Sequence, residues 1–173
     1  NDGIVRIPSP YGVFFIAVKR CCINKNLEGS TMLRTDAKAN PQDFINDFNN
    51  NPFHRYLGLT VAEQRKDFGR LRLQRTESTP TGIGGSVNGG VIATMIDMAT
   101  IVAVFSELSD TTVPAGTADL AVTYLRQAHG VWIDAEAVVI KRGRQLCSVE
   151  VSVTNDEGVL CARGRVLYAM RSA

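Results

Sequence analysis

Asp97 is the residue whose type and position in the sequence could support catalysis. It lies in the middle of the longest apolar segment, residues 88–106, which contains no Lys or Arg that could pair with it. Burying an ionised carboxylate is unfavourable unless the carboxylate is paired or reaches a polar cleft. Two interpretations follow. Asp97 is either a structural residue hydrogen-bonded to the backbone of a neighbouring strand, or a nucleophile or general base that faces a cleft.

Two threonines flank Asp97 at helical spacing. Thr94 and Thr100 stand three residues before and after it, so the three side chains form one polar stripe on a helix. We expect this stripe to face a cavity and not packed core.

Asn88-Gly89-Gly90 stands at the start of the same segment. Asn is a favourable N-cap, and the two glycines let a ligand approach the backbone closely. The free N–H groups and the positive end of the helix dipole would then point at the ligand, an arrangement that suits a developing oxyanion or a polarised thioester carbonyl. Taken alone, Gly-Gly at a helix start also fits tight packing against another element.

Together the two features resemble the hotdog-fold thioesterase superfamily, in the PaaI-like branch of phenylacetyl-CoA and 4-hydroxybenzoyl-CoA thioesterases. The family pattern is His-Gly-Gly with Asp or Glu nine positions after the His, and here Asn88 begins the motif and Asp97 stands at that position. The segments 116–124 and 158–165 are similar to the family's strand after the helix and to its closing strands. The resemblance covers about residues 50–170.

This resemblance implies hydrolysis of an acyl-CoA thioester. Asp97 would be the nucleophile or the general base for water, and the Gly89 N–H would polarise the thioester carbonyl. Thr117 would orient the attacking water. In the family the active site lies between subunits, with the Asp coming from the facing protomer, so a dimer or tetramer is implied. No cofactor is expected, because CoA is part of the substrate.

The chain departs from the family pattern at two positions. Asn88 replaces the usual His, and an Asn amide can hold a carbonyl or cap a helix but does not titrate near neutral pH. Gly82 stands where related enzymes place an Asn or Gln that positions water. A non-catalytic acyl-CoA-binding module is therefore an alternative. A hydratase or dehydratase is another, but neither His54 nor His129 stands where that chemistry needs an acid or base.

Substrate contacts are expected at further positions. Coenzyme A brings phosphates, so a basic turn is needed, and Lys141, Arg142 and Arg144 cluster in one turn that could equally be a solvated hairpin. The family's pocket implies that Ile101 and Phe105 shape the acyl site, together with the loop 76–87 and another subunit. The remaining predicted contacts are Gly90, Thr94 and Thr100.

The elements that position these residues follow from hydrophobic periodicity. Residues 41–48 predict a short amphipathic helix, residues 57–61 a strand, and alternation around Leu71 and Leu73 a second strand that pairs with it. Residues 76–87 read as a loop. The segment 88–106 predicts a helix that is apolar nearly all round and therefore buried.

Four strand patterns follow this helix, at residues 116–124, 132–140, 146–154 and 159–169, with hairpin turns at 141–144 and 155–158. Strand, strand, long buried helix and four sequential antiparallel strands predict an α+β hotdog fold, with an antiparallel sheet wrapped around one helix.

Composition narrows the function classes. The formal net charge of +2 falls entirely within residues 1–31, so residues 32–173 are neutral and nucleic acid is not an expected partner. No apolar stretch is long enough to suggest a membrane span. The four cysteines show no C-x-x-C spacing, which disfavours a zinc site, and buried thiols at Cys147 and Cys161 fit a reduced, cytoplasmic protein.

The N-terminal residues are expected to lie outside the catalytic domain. We divide the chain into an extension, residues 1–40, and a hotdog domain, residues 41–173. The apolar run 11–18 precedes Lys19 and Arg20, the reverse of a secretory signal, so we expect a strand or a buried segment. Either the natural start is Met32, or the extension is an arm that packs on the domain or on a partner.

Overall fold

The structure, a computed structural model, describes residues 3–9, 12–18 and 40–172. The chain divides into two units, Asn1–Ser30 and Thr31–Ala173. In the first unit, strands β1 (Gly3–Ser9) and β2 (Gly12–Val18) pair antiparallel. The prediction of a strand over residues 11–18 is confirmed, whereas Met32 and the first two cysteines lie outside the described residues.

The second unit begins with two short helices. Helix α1 (Pro41–Asn50) is capped by the Asn40 side chain and buries Phe44 and Phe48, as predicted. Helix α2 (Pro52–Leu57) was not predicted; Pro52 occupies its first turn, where proline is favourable because its missing N–H would have no partner in the helix. The following strand therefore begins at Leu59 and not at residue 57.

Six antiparallel strands form one sheet, in the order β3-β4-β6-β7-β8-β5. The strands are β3 (Leu59–Arg65), β4 (Phe68–Gln74), β5 (Thr112–Tyr124), β6 (Trp132–Arg142), β7 (Leu146–Asn155) and β8 (Leu160–Ser172). All six predicted strands and both late hairpins are confirmed. The four strands after the helix are consecutive in the chain, but β5 does not pair with β6. Strand β4 occupies one edge of β6 and β7 the other, so β5 pairs with β8 and lies at an edge of the sheet.

Helix α3 (Gly89–Val104) packs on the inner face of this sheet. Its side chains are apolar on nearly every side, and Met95, Ile96 and Val102 have no exposed surface. Glycines in the sheet let the helix approach closely. A Cβ on Gly164 would overlap the Ile96 side chain, and one on Gly69 would lie 2.7 Å from a Val102 methyl carbon. The predicted hotdog arrangement is confirmed.

No helix in the described part of the chain is long and apolar enough to cross a membrane.

Candidate active site at the central helix

The first turn of α3 has one N–H group without a partner. The Asn88 side-chain oxygen accepts a 2.8 Å bond from the Gly90 N–H, which confirms the predicted N-cap. The Asn88 carbonyl oxygen accepts from Val91 and Ile92. Among the described residues nothing accepts from the Gly89 N–H, so this donor is left for a ligand at the positive end of the helix.

Tyr124 covers the opposite side of the same glycine. Its hydroxyl donates a 2.7 Å bond to the Gly89 carbonyl oxygen, and a Cβ on Gly89 would lie 3.5 Å from the Tyr124 ring. That distance is an ordinary van der Waals contact. Alanine would therefore fit at position 89. Sequence reasoning missed Tyr124, whose only signal is a phenol at the end of the strand that follows the helix.

A cavity of about 520 Å³ opens beside this first turn. The loop 82–87 forms one wall, residues 124–128 form another, and Ile92 with Cys161 and Ala162 close the inner side. Arg75 joins the loop to the turn that follows residues 124–128, because its guanidinium donates to the carbonyl oxygens of Gly85, at 2.9 Å, and Gly130, at 3.1 Å. These two bonds help to position the loop wall of the cavity.

Asp97 lies two turns further along the helix and is half-buried. The Thr117 hydroxyl donates a 2.5 Å hydrogen bond to one carboxylate oxygen of Asp97. The partner is therefore a side chain on β5, and not the strand backbone that a purely structural Asp was expected to use. No ion pair with Asp97 occurs among the described residues, so the second oxygen is available to a water molecule or an electrophile.

The predicted polar stripe of Thr94, Asp97 and Thr100 is only partly exposed to solvent. Thr94 is half-exposed and donates to the Gly90 carbonyl oxygen at 2.9 Å. Thr100 has no exposed surface and donates to the Ile96 carbonyl oxygen at 2.9 Å, so the expectation that it faces a cavity is wrong. The reason is geometric. Each step of three residues rotates about 60° short of a full turn, and two steps carry Thr100 into the core.

Ile101 and Phe105 continue the half-buried side of the helix that carries Asp97. Both pack against the buried core, and the Phe105 ring lies 5.3 Å from Phe44 and 6.3 Å from Tyr168, measured between centroids. Neither side chain borders the cavity beside Gly89. Their predicted part in shaping the acyl site stays a prediction.

Tyr168 is a buried phenol that sequence reasoning did not single out. It pairs with Thr117 in the β5–β8 register, so its side chain lies on the inner face of the sheet. Burial, with a smaller contribution from the negative charge of Asp97, raises the pKa of Tyr168 to about 12. The phenol therefore stays protonated at any physiological pH.

Neither histidine is positioned to act as an acid or base on a substrate. His54 is buried and stacks on Phe48 with 3.8 Å between ring centroids. Its Nδ1 lies 2.8 Å from the Phe48 carbonyl oxygen and its Nε2 3.3 Å from the Met98 sulfur. Burial lowers the pKa of His54, more than its backbone hydrogen bond raises it. His129 is exposed in the turn before β6.

The predicted basic turn divides into two parts. The Arg142 guanidinium donates to an Asp67 carboxylate oxygen at 2.7 Å and to the Val104 carbonyl oxygen at 3.2 Å, so it ties the end of α3 to the β3–β4 hairpin. Lys141 and Arg144 are exposed. The turn lies at the C-terminal end of α3, about 22 Å along the helix axis from Gly89.

Gly89 and Asp97 are also separated within one chain. Asp97 follows Gly89 by eight residues on the same helix, which corresponds to about 12 Å along the axis. A carbonyl bonded to the Gly89 N–H at about 3 Å is therefore out of reach of the Asp97 carboxylate of the same chain.

Comparison with known proteins assigns the chain to a family. The family model of the Thioesterase superfamily matches residues 84–162, which include Gly89, Asp97 and Thr117. A Halobacterium salinarum protein described as a candidate esterase is 38% identical over 121 residues, which cover 68% of this chain and 78% of that protein. The chain belongs to the thioesterase superfamily.

Two further proteins agree with this assignment. The medium/long-chain acyl-CoA thioesterase YigI of Escherichia coli is 28% identical over 130 residues, covering 68% of this chain and 84% of that protein. The solved structure of zebra fish thioesterase superfamily member 2 is 27% identical with a TM-score of 0.62, covering 73% of this chain and 93% of that one. The predicted superfamily and its general reaction, thioester hydrolysis, are supported, and the PaaI-like branch stays a prediction.

Proposed function

We propose that this member of the thioesterase superfamily hydrolyses an acyl-CoA thioester to the free acid and CoA. The observation that carries the proposal is the pair of groups on helix α3. Gly89 offers an N–H that no described residue accepts, and Asp97 offers a carboxylate oxygen beyond the one held by Thr117.

The Gly89 N–H polarises the thioester carbonyl in this mechanism. Negative charge develops on the carbonyl oxygen as the tetrahedral intermediate forms, and a fixed donor at the positive end of a helix stabilises it without reorganising. The Asn88 cap holds the first turn in place, and the Tyr124 hydroxyl fixes the Gly89 peptide from its other side.

Asp97 supplies the attack in one of two ways. As a general base it takes a proton from the attacking water. As a nucleophile it forms an acyl-Asp97 anhydride as the CoA thiolate leaves, and water then hydrolyses this anhydride to the free acid and restores the carboxylate. The bond from Thr117 fixes the rotamer of the carboxylate, and a hydroxyl there can also accept a hydrogen bond from the attacking water. The CoA thiolate leaves without a strong general acid, because a thiol is far more acidic than water or an alcohol and its thiolate is therefore a good leaving group.

The mechanism requires two chains, since the two groups on one helix are about 12 Å apart. A facing protomer brings its own Asp97 to the Gly89 of the first, so a twofold dimer has two identical sites. The edge strand β5 supports such an assembly. Its residues 117–121 are exposed, and an unpaired strand edge readily pairs with another chain.

The phosphates of CoA are assigned to Lys141 and Arg144, the exposed cations of the basic turn. Arg142 is left out of this role because Asp67 and the helix end engage its guanidinium. Substituting Lys141 and Arg144 together by Gln should raise KM for acyl-CoA and leave kcat nearly unchanged, since these contacts are the same in the ground state and the transition state.

The proposed activity is tested by thiol release from a panel of acyl-CoAs, with wild type and Asp97→Asn measured side by side. Release by the wild type and its loss in a folded Asp97→Asn variant support the proposal. Substantial release by the folded variant rejects Asp97 as the catalytic residue. Saturable binding of CoA esters without any release by the wild type supports the binding-module alternative.

A further inference from the structure

The groups proposed to hydrolyse the thioester do not account for the cavity beside Gly89. It holds about 520 Å³, within the range of small-molecule sites, and the Gly89 backbone forms part of its border. A thioester carbonyl bonded to the Gly89 N–H therefore stands at the cavity's opening. One of its two substituents, the acyl chain or the pantetheine arm of CoA, can continue inward.

The chemistry of the lining distinguishes these two substituents. The inner wall consists of Val87, Ile92, Ala128, Cys161 and Ala162, all buried and apolar. Pantetheine carries two amides and a hydroxyl that need hydrogen-bond partners once they leave water, whereas an acyl chain carries none.

The polar groups near that wall are already engaged. The Ser86 hydroxyl donates to the Ile83 carbonyl oxygen at 2.9 Å, and the Cys161 thiol donates to the Val159 carbonyl oxygen at 3.3 Å. Arg126 and Gln127 also border the cavity, but both are exposed and stand on its open side. The Ser86 and Cys161 protons are therefore not available to a ligand, and the side chains that can donate to an amide, Arg126 and Gln127, stand on the open side.

We propose that this cavity binds the acyl chain of the substrate, and that the preferred chain is aliphatic and about eight or more carbons long. This inference rests on the proposed function. With about 30 Å³ per methylene-sized group, a chain of eight carbons fills about half of the cavity, and the cavity has room for about 17 carbons. An acetyl group leaves most of it empty, and a hydroxylated aromatic ring places its hydroxyl against an apolar wall.

Small side chains at the inner wall leave space in the cavity. A larger side chain there should reduce this space, which tests whether the acyl chain binds in the cavity. Ala162→Val adds two methyl groups at the inner wall, and Ala169→Val, on the outer face of the same strand, is the matched control. We expect Ala162→Val to lower kcat/KM for decanoyl-CoA about ten-fold and to leave hexanoyl-CoA within about two-fold of the wild type, because each buried methylene strengthens binding about four-fold.

A second variant avoids any risk to folding. Ile83 stands on the cavity's rim with 85% of its surface exposed. Ile83→Ala removes apolar contact where every acyl chain enters the cavity, so KM should rise by a similar factor for hexanoyl-CoA and dodecanoyl-CoA.

Binding is measured with S-decyl-CoA, a thioether that has no carbonyl to hydrolyse. Weaker binding to Ala162→Val than to Ala169→Val supports the cavity assignment even if the wild type hydrolyses nothing, in which case the proposed function alone fails. A chain-length profile that Ala162→Val does not change, together with KM values that Ile83→Ala does not change, overturns the assignment and leaves the proposed function standing. A wild-type preference for 4-hydroxybenzoyl-CoA over decanoyl-CoA overturns it as well.

Discussion

The Thr117 hydroxyl donates a 2.5 Å hydrogen bond to Asp97 and so joins the edge strand β5 to the central helix. The bond fixes one carboxylate oxygen and leaves the other for chemistry. It also places the proposed catalytic group next to the edge of the sheet where a second chain can pair. Thr117 is therefore expected to position Asp97 as well as the attacking water.

Replacing Thr117 tests this positioning. Thr117→Val keeps the shape of the side chain and removes the hydroxyl, so kcat should fall about ten-fold, the effect of about 1.4 kcal/mol lost in the transition state. Thr117→Ser keeps the hydroxyl and should retain most activity. Thr60→Val, at an exposed position on β3, is the control for a threonine-to-valine change in a strand. Equal activities of the Val and Ser variants would contradict the role.

The Gly89 N–H can be removed without removing the helix. Proline lacks this donor and is favourable at the first helical position, and the Asn88 backbone angles of −58° and 137° suit the residue before a proline. Gly89→Pro should therefore lower kcat by about 10²–10³, as for the loss of one oxyanion donor.

Gly89→Ala is the matched control for that variant. It keeps the N–H, and its Cβ only touches the Tyr124 ring at 3.5 Å. Its activity should stay within about three-fold of the wild type if the backbone donor is what matters. Parallel losses in the Pro and Ala variants, with helical circular dichroism unchanged, would instead indicate that position 89 acts through shape.

Much of the fold and part of the site could be predicted because the signals are local. Asn88 and the apolar run after it define the start and type of α3, and alternating side chains define the strands. The resemblance added the roles of Gly89 and Asp97, which no local pattern supplies.

The features that were missed depend on tertiary contacts. Strand β5 lies beside β8 because of pairings between residues about 40 to 60 positions apart, which no short pattern encodes. The engagement of Arg142 depends on a carboxylate 75 residues away, and the Tyr124 contact with Gly89 spans 35 residues. A turn with three cations looks the same in sequence whether its side chains bind a ligand or another part of the chain.

A mixing experiment tests whether the site is shared between subunits. Asp97→Asn and Gly89→Pro chains should each be nearly inactive alone. After unfolding and refolding together at equal amounts, half of the dimers carry one chain of each kind, and one of their two sites has both groups intact. The mixture should therefore recover about a quarter of the wild-type activity. If the site were contained within one chain, the mixture would recover no activity. This outcome would contradict the two-chain mechanism.

The buried His54 predicts how stability depends on pH. Burial lowers its pKa in the folded protein below the value near 6.5 of the unfolded chain, so the unfolded state binds the proton more readily. Its contribution to the free energy of unfolding is fully present above about pH 6.5 and is lost as the pH falls below that value. The groups beside its ring nitrogens, the Phe48 carbonyl and the Met98 sulfur, carry no charge that would offset this loss.

Urea unfolding between pH 5 and pH 8 measures this effect. As the pH falls, the free energy of unfolding should decline less steeply for His54→Gln than for the wild type. The exposed His129→Gln variant should parallel the wild type, and an equally steep decline in both variants would assign the acid sensitivity to other groups.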